Sequence, residues 1–243
     1  MKLIALNIWG GRIREPFFDF IKTHQDTDIF CFQELYNNGT EKMSDEKRMP
    51  SLNIFSELKE LLPAHRGYFR PTIRNVYGIG MFIKNEIQVL EEGEVILKDV
   101  PNFAGSGGNH TRNMQWVKCQ TDKTSFFVLN VHGLWTGINK KDTPDRLEQS
   151  QRIKSFLDTV QSPKILCGDF NLLPDTKSIA MLEPGLVNLI KIHKIISTRT
   201  SFYTKEEKFA DFMFVSPEIK VQNFAVLPDE VSDHSPLLLN FTI

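Results

Sequence analysis

Polar side chains end several apolar segments of this 243-residue chain, at points where a buried strand does not require them. The segment 164–175, KILCGDFNLLPD, places Asp169 and Asn171 directly after the apolar residues 165–167. Because they are two residues apart in an extended chain, the carboxylate and the carboxamide point to the same face. The arrangement recurs in five more segments: LNIWG with Asn7, FQEL with Glu34, NVHG with Asn130 and His132, FADFMFV with Asp211, and SDHS with Asp233 and His234.

Taken singly, each of these residues could form a turn or cap a helix. Six such sites spread over the chain are better explained by strands that deliver their end residues to one place. Carboxylate and amide oxygens suit Mg²⁺ or Mn²⁺ rather than zinc. Histidines without cysteine indicate proton transfer or phosphate contact. A hard metal, a base and a charge stabiliser together are what hydrolysis of a phosphate ester requires.

The elements that must position these residues are short strands alternating with helices. Strands are predicted at KLIALNI, DIFCFQE, YGIGMFI, MQWVKC, SFFVLNVH, KILCGDF, FADFMFVS and SPLLLNFTI, several of them continuously apolar, as in strands covered on both faces. Helices are predicted at 15–24, 51–62 and 143–160, the last capped by Thr143 with Pro144 in its first turn. Long loops are predicted at 36–50 and 99–111. This pattern predicts an α/β fold of two stacked sheets flanked by helices, with residues 1–243 as a single domain.

The composition of the chain limits the classes of function that it can have. The chain is 41% hydrophobic and 24% charged with a formal net charge of −1, so its total charge indicates no long-range attraction to polyanions. The apolar runs are too short to span a bilayer. The three cysteines lie in apolar, strand-like segments without metal-binding spacing, which predicts reduced thiols and a cytoplasmic protein. The oligomeric state is not encoded legibly, and a monomer is the expectation.

The motifs LNIWG, FQEL, NVHG, GDFN and SDH, in this order, resemble the endonuclease/exonuclease/phosphatase superfamily, which has the deoxyribonuclease I-like fold. The resemblance runs from Asn7 to His234. Each motif is weak alone, but five in order are specific. The resemblance implies a four-layer α/β sandwich of two mixed, mainly antiparallel β-sheets flanked by helices, in agreement with the strand and helix pattern.

The resemblance also implies a metal site and a water-activating site. Glu34 would be the principal ligand of Mg²⁺, for which Mn²⁺ would substitute, and Asn7 and Asp233 would lie close to the metal or its waters. Asp169 would orient or deprotonate the attacking water. Asn171 would hold that water or a phosphoryl oxygen.

Two histidines complete the implied machinery. Asp211 would hold His234 in one tautomer and help keep it cationic, so that it stabilises the pentavalent phosphorane; alternatively His234 is the base, and the choice between Asp169 and His234 stays open. His132 would donate to a non-bridging oxygen or to the leaving group.

Further residues are candidates for binding substrate. This group contains Arg112, Arg199, Tyr203 and Trp9. Trp9 stands where AP endonucleases carry an Asp or Asn, and it cannot ligate a metal, so the first strand is expected to contribute only Asn7. Asn130 either supports a loop through a side-chain hydrogen bond or contacts phosphate directly. These two interpretations of Asn130 stay open.

The motifs indicate the type of reaction, phosphoester hydrolysis, and leave several classes of substrate open. A phosphodiesterase or nuclease acting on a nucleic acid strand is the first hypothesis. The alternative is a phosphatase or phosphodiesterase for a small phosphorylated metabolite, inositol phosphate or lipid headgroup. A non-catalytic binding scaffold is the remote alternative. An abasic-site nuclease is disfavoured, because His132 replaces the Tyr of those enzymes and Phe209-Ala210-Asp211 replaces their Arg-x-Asp pattern.

Overall fold

Two six-stranded β-sheets form the centre of the computed structural model, which describes residues 1–39, 51–103, 108–122 and 124–243. The strands are β1 (Lys2–Asn7), β2 (Ile29–Tyr36), β3 (His65–Ile73), β4 (Tyr77–Lys84), β5 (Gln88–Lys98), β6 (Arg112–Thr121), β7 (Thr124–His132), β8 (Lys164–Asp169), β9 (Val187–Asn188), β10 (Asp211–Val215), β11 (Lys220–Val226) and β12 (Leu237–Thr242).

The two sheets have the same arrangement of strand directions. Sheet 1 has the order β11-β12-β1-β2-β4-β3, and sheet 2 has the order β5-β6-β7-β8-β10-β9. Each sheet is antiparallel except for one parallel pair at its middle, β1 with β2 and β7 with β8. The predicted pair of mixed, mainly antiparallel sheets is therefore confirmed.

The helices lie at α1 (Arg14–Thr23), α2 (Ile54–Leu61), α3 (Pro144–Thr159), α4 (Lys177–Ala180) and α5 (Leu189–Ile192). The three predicted helices correspond to α1, α2 and α3. Thr143 caps α3 by accepting a hydrogen bond from the Arg146 backbone N–H, with Pro144 in the first turn, as predicted. Of the predicted loops, residues 40–50 and 104–107 lie outside the described residues.

Every central strand was predicted, but the four edge strands were not. β3 and β11 are the edges of sheet 1, and β5 and β9 are the edges of sheet 2. An edge strand is paired on one side only, so it can carry many exposed polar residues. β5, for example, has the sequence QVLEEGEVILK and is mostly exposed. In β5 the charged residues Glu91, Glu92 and Glu94 interrupt the apolar residues, so the segment does not read as a buried strand.

Apolar side chains cover both faces of sheet 1. Leu3 and Ala5 of β1 lie in the larger hydrophobic cluster, between the sheets, whereas Ile4 and Leu6 lie in a second cluster with α1 and α2. Residues of α3, α4 and α5 join the larger cluster beside sheet 2. This double coverage explains why β1 reads as a continuous apolar run.

The three cysteines are unpaired and buried in the larger cluster, which confirms that they act as core thiols: Cys31, Cys119 and Cys167. Within the described ranges, no helix has the length and apolar character needed to cross a membrane.

Candidate active site

Three of the predicted residues form a row across sheet 2. Asp169, the last residue of β8, is in register with His132 of β7 on one side and with Asp211 of β10 on the other. Residues in register on neighbouring strands project from the same face of a sheet. The sheet therefore places an imidazole and two carboxylates side by side.

One amide joins this row to sheet 1. The Asn7 side chain is buried at the end of β1, and its Nδ2 donates to Glu34 Oε1 at 3.1 Å and to Asp169 Oδ2 at 3.0 Å. Its Oδ1 accepts a hydrogen bond from the Trp9 backbone N–H at 3.0 Å. Polar ends of strands from both sheets thus meet at one point, as the sequence predicted.

Left-handed backbone conformations occur at three residues of this site. Trp9, Glu34 and Asn171 have φ values of 50°, 61° and 54°. Glu34 is also the extra residue of a β-bulge, because Gln33 pairs with Ile79 and Leu35 pairs with Gly78. Positive φ is uncommon for residues other than glycine, and such strain and bulges concentrate at functional sites, where they redirect side chains.

His234 forms a buried pair with Asp211. Its Nδ1 lies 2.8 and 2.9 Å from the two carboxylate oxygens of Asp211, and the Thr198 hydroxyl donates to Oδ2 at 2.9 Å. Its Nε2 faces Asp169 Oδ2 at 3.7 Å. The geometry fixes the tautomer as expected, with Nδ1–H donating to Asp211.

The protonation state of this pair differs from the expectation. Burial raises the pKa of Asp211 to about 6 and lowers the pKa of His234 to about 3. At neutral pH these pKa values leave the imidazole neutral, whereas Asp211 stays mainly ionised although burial works against its charge. Asp211 was expected to help keep His234 cationic, but the cost of burying the imidazolium is the larger effect on the His234 pKa.

Arg112 and His132 form a second pair. Arg112 Nη1 donates to His132 Nε2 at 2.6 Å, and Nη2 donates to the Gly108 carbonyl. Because a guanidinium has no acceptor, His132 Nε2 must be the acceptor and the imidazole is neutral. Burial, reinforced by Arg112, lowers the pKa of His132 well below its usual range. His132 Nε2 is therefore occupied as an acceptor and cannot donate to a phosphate oxygen or a leaving group, the role expected of His132, and the charged donor here is Arg112.

Cations also line the opposite side of the site. Arg199 Nη1 lies 3.4 Å from Asp233 Oδ2, and its guanidinium lies 4.0 Å from the centre of the Tyr203 ring. Lys140 Nζ donates to Asn171 Oδ1 at 3.3 Å and lies 5.6 Å from the same ring. Burial lowers the pKa of Lys140 to about 8. Sequence reasoning missed Lys140, because it stands beside Lys141 in a polar loop with no signal to separate the two.

The donor set fits a hard divalent cation. Burial, followed by the proximity of Asp233, raises the pKa of Glu34 to about 7, and the Glu34 side chain remains 27% exposed. Asp169, Asp211 and His234 also offer ligand atoms within 4.8 Å of one another. Asp211, however, already bonds His234 and Thr198. Glu34 and Asp233, which lie close enough to each other for the charge of one to raise the pKa of the other, are further oxygen donors of the kind that Mg²⁺ takes.

Asn130 and Trp9 are the two remaining candidates for binding substrate. Asn130 is fully buried between the sheets, where its Nδ2 donates to the backbone carbonyls of Phe32 and Gly80 and its Oδ1 accepts from Gln33. The structural interpretation of Asn130 thus accounts for its contacts. Trp9 is half-buried beside the site, with the Arg12 guanidinium 4.9 Å from its ring centre.

Comparisons with known proteins agree with this architecture. The model of the endonuclease/exonuclease/phosphatase family matches residues 4–234. The comparison with curated proteins finds no match.

Solved structures share the fold over the whole chain. A mannosyl-6-phosphatase of Bacteroides thetaiotaomicron is 20% identical with a TM-score of 0.73, and the match covers 100% of each chain. A functionally unknown conserved protein from Enterococcus faecalis is 20% identical with a TM-score of 0.76, covering 100% of this chain and 99% of the other. D. rerio TDP2 complexed with a single-strand DNA product is 14% identical with a TM-score of 0.73, again covering 100% and 99%. The expected deoxyribonuclease I-like sandwich is confirmed.

Proposed function

Because the chain belongs to the endonuclease/exonuclease/phosphatase family, we propose that it is a Mg²⁺-dependent phosphodiesterase that cleaves a nucleic acid strand. Membership of this family supports phosphoester hydrolysis in general. The observation that carries the finer proposal is the Asn7 amide, which holds Glu34 and Asp169 together beside the His234 imidazole.

Two carboxylates would hold the ion, and one amide positions the acidic side chains. Glu34 and Asp233 would bind Mg²⁺ or its waters, with Asp169 on the other side of the Asn7 amide. A bound Mg²⁺ would polarise the phosphoryl oxygens and offset their charge. Asn7 presents its N–H groups to the carboxylates and its oxygen to the Trp9 backbone. It therefore orients the ligands.

Asp169 and His234 are the two residues that would activate the attacking water. Asp169 Oδ1 accepts the Asn171 backbone N–H at 2.8 Å, which fixes the carboxylate, and Oδ2 faces His234 Nε2. With Nδ1–H held by Asp211, the neutral His234 has its Nε2 lone pair directed toward Asp169. These two groups are the proton acceptors that a water between substrate and protein would meet, in an in-line attack on phosphorus.

The balance of charge favours a phosphodiester over a phosphomonoester. Four carboxylates surround the site (Glu34, Asp169, Asp211 and Asp233) together with three cationic side chains (Arg112, Lys140 and Arg199). One negative charge is left over, and a divalent cation would turn it into one positive charge. A phosphodiester, with a single negative charge, neutralises that site.

Exposed aromatic residues near the cations support a nucleic acid substrate. The Trp135 side chain is 40% exposed, and Lys205 Nζ lies 5.2 Å from its ring centre. Phe202, next to Tyr203, is 38% exposed. Aromatic faces beside cations bind single strands by stacking on bases. The DNA product in the D. rerio TDP2 structure agrees with this choice, whereas the mannosyl-6-phosphatase keeps a small phosphorylated metabolite as the second candidate.

Hydrolysis of bis(p-nitrophenyl) phosphate with Mg²⁺ tests the proposed reaction. Replacing Asp169 by Asn should lower kcat by about 10²- to 10⁴-fold, because the amide cannot accept a proton from the attacking water. EDTA should abolish turnover in the wild-type protein, and added Mn²⁺ should restore it. Asp175→Asn is the matched control, since Asp175 is an exposed carboxylate of the same segment. Equal rates for Asp169→Asn and wild type, or turnover that survives EDTA, would remove the proposal.

A further inference from the structure

Lys140 is a buried cation whose ammonium hydrogen-bonds an amide and not a carboxylate. Its residue is 4% exposed, and its Nζ donates to the neutral Asn171 Oδ1. Across the described parts of the chain, no carboxylate oxygen lies within 4.0 Å of this Nζ, in contrast to Arg199, which pairs with Asp233. The next residue, Lys141, is exposed.

An unpaired buried charge is costly to the fold. Removing an ammonium from water carries a penalty of several kcal/mol, which hydrogen bonds or an opposite charge must offset. Asp169, Asp211 and Asp233 raise the pKa of Lys140 from beyond 4.0 Å and so offset part of this cost. Among the described residues, however, the ammonium donates only to the Asn171 amide, which leaves N–H groups available for a further acceptor. A charge retained in this position is best explained by an anion that binds there.

The neighbours of Lys140 show where such an anion would lie. Lys140 and Arg199 approach the same Tyr203 ring, at 5.6 and 4.0 Å from its centre. Lys140 also bonds Asn171, whose backbone N–H holds Asp169. The ammonium is thus one side chain away from the acidic centre, on the side opposite Arg112.

We propose that Lys140 binds a non-bridging phosphate oxygen of the substrate, on the side of the site formed by Asn171 and Tyr203. The inference rests on the proposed function in placing a phosphate ester at this centre. It makes Lys140 a substrate-binding residue that complements Arg112 from across the site. The interaction forms in the bound substrate as well as in the transition state, so its loss should raise KM more than it lowers kcat.

Thermal unfolding with and without inorganic phosphate tests this assignment without relying on turnover. In a Mg²⁺ buffer, phosphate should raise the Tm of the wild type, because a ligand that binds the folded state stabilises it. Lys140→Met should lose most of this shift and bind phosphate at least tenfold more weakly by calorimetry, with Lys140→Gln as a second neutral variant. Lys140→Arg should keep most of the binding, and Lys141→Met should behave as wild type.

The same measurement separates binding from a structural role. Without phosphate, Lys140→Met should have a Tm equal to or above that of the wild type, because it relieves the cost of burying an ammonium whose one hydrogen bond among the described residues is to Asn171. A phosphate-free Tm well below that of the wild type in both neutral variants would overturn the proposal, as would equal phosphate binding by wild type and Lys140→Met. Absence of phosphate binding by the wild type would overturn it too. Lys140-dependent phosphate binding without hydrolysis of any phosphodiester would instead overturn the proposed function and leave the subsite standing.

Discussion

Single polar atoms decide which groups at this site are charged. Arg112 can only donate, so its contact with His132 Nε2 makes that imidazole an acceptor. The Asp211 carboxylate accepts a hydrogen bond from the Nδ1–H of His234, and the Thr198 hydroxyl donates a further hydrogen bond to the same carboxylate. The two histidines therefore differ in what they can do: His132 has its Nε2 occupied by a cation, whereas the Nε2 of His234 faces Asp169.

The role of Asp211 can be tested through the pH dependence of turnover. Asp211→Asn should lower kcat by about 10²- to 10⁴-fold, because the imidazole loses the carboxylate that selects its tautomer. Removing a nearby negative charge disfavours the imidazolium, so the pKa of His234 should fall further. The part of the pH–rate profile that depends on His234 should then move to lower pH.

Circular dichroism and thermal unfolding of Asp211→Asn provide the folding control for this measurement. Thr198→Val, which keeps the carboxylate and removes only its hydroxyl donor, should have a smaller effect on kcat. An Asp211→Asn profile identical in shape and position to that of the wild type would contradict the proposed pairing.

At the scale of elements, strand register and one bulge assemble the site. The in-register row of His132, Asp169 and Asp211 follows from the pairing of β7, β8 and β10. On sheet 1, the bulge in β2 displaces Glu34 from the regular alternation of the strand. Asn130 lies two residues before His132 on β7. It joins the two sheets by donating hydrogen bonds to the backbone carbonyls of Phe32 and Gly80. Some strand positions thus supply the reactive side chains, and others, such as Asn130, hold the two sheets together.

Asn130 is expected to act on stability and not on substrate binding. Asn130→Ala removes its contacts to Gln33 and to two backbone carbonyls in a fully buried place. Each unsatisfied buried group costs about 1–3 kcal/mol. The variant should therefore lose roughly 2–4 kcal/mol of unfolding free energy in urea titrations, since the neighbours can relax in part.

Kinetics on the folded fraction complete the test of Asn130. The KM for bis(p-nitrophenyl) phosphate should stay within about twofold of the wild type if the residue contacts no phosphate. Asn171→Ala, by contrast, should change kcat or KM. A large rise in KM for Asn130→Ala with unchanged stability would restore the direct phosphate contact that the sequence left open.

At the scale of the whole molecule, charge is distributed unevenly although it nearly cancels. The formal net charge is −1, yet Arg112, Lys140 and Arg199 gather around one acidic centre. The charges around the site are therefore a better guide to the substrate than the net charge of the whole chain. The first and last strands, β1 and β12, pair side by side in sheet 1, and we propose on this basis that residues 1–243 form one domain.

The dependence of KM on salt distinguishes a strand from a small substrate. Each phosphate contact with a single strand contributes about −0.7 to the slope of log affinity against log salt. Three contacts give a slope near −2, so KM for single-stranded DNA should rise roughly 10- to 20-fold between about 50 and 200 mM salt. A substrate with one phosphate lacks the condensed counterions of a strand and should change far less. A flat KM for DNA, with efficient cleavage of a phosphorylated sugar, would favour the metabolite alternative.

The sequence by itself determined the strands and helices of the core and the kind of chemistry at their ends. Central strands are covered on both faces, so they read as apolar runs, and polar residues that interrupt such runs stand out. This is why Asn7, Glu34, Asp169, Asn171, Asp211 and His234 could be named from spacing and family resemblance, whereas the exposed edge strands β3, β5, β9 and β11 could not.

Only the tertiary structure decided which of these groups carry charge and which residues join them from loops. Lys140 and Lys141 are identical in type and adjacent in sequence, yet one is buried beside Asn171 and the other is exposed. The left-handed backbone of Glu34, the Arg112–His132 contact and the burial of Asn130 between the sheets likewise arise from residues far apart in the chain. Burial and pairing set the cost of a charge, and both depend on neighbours that no local pattern of residues records.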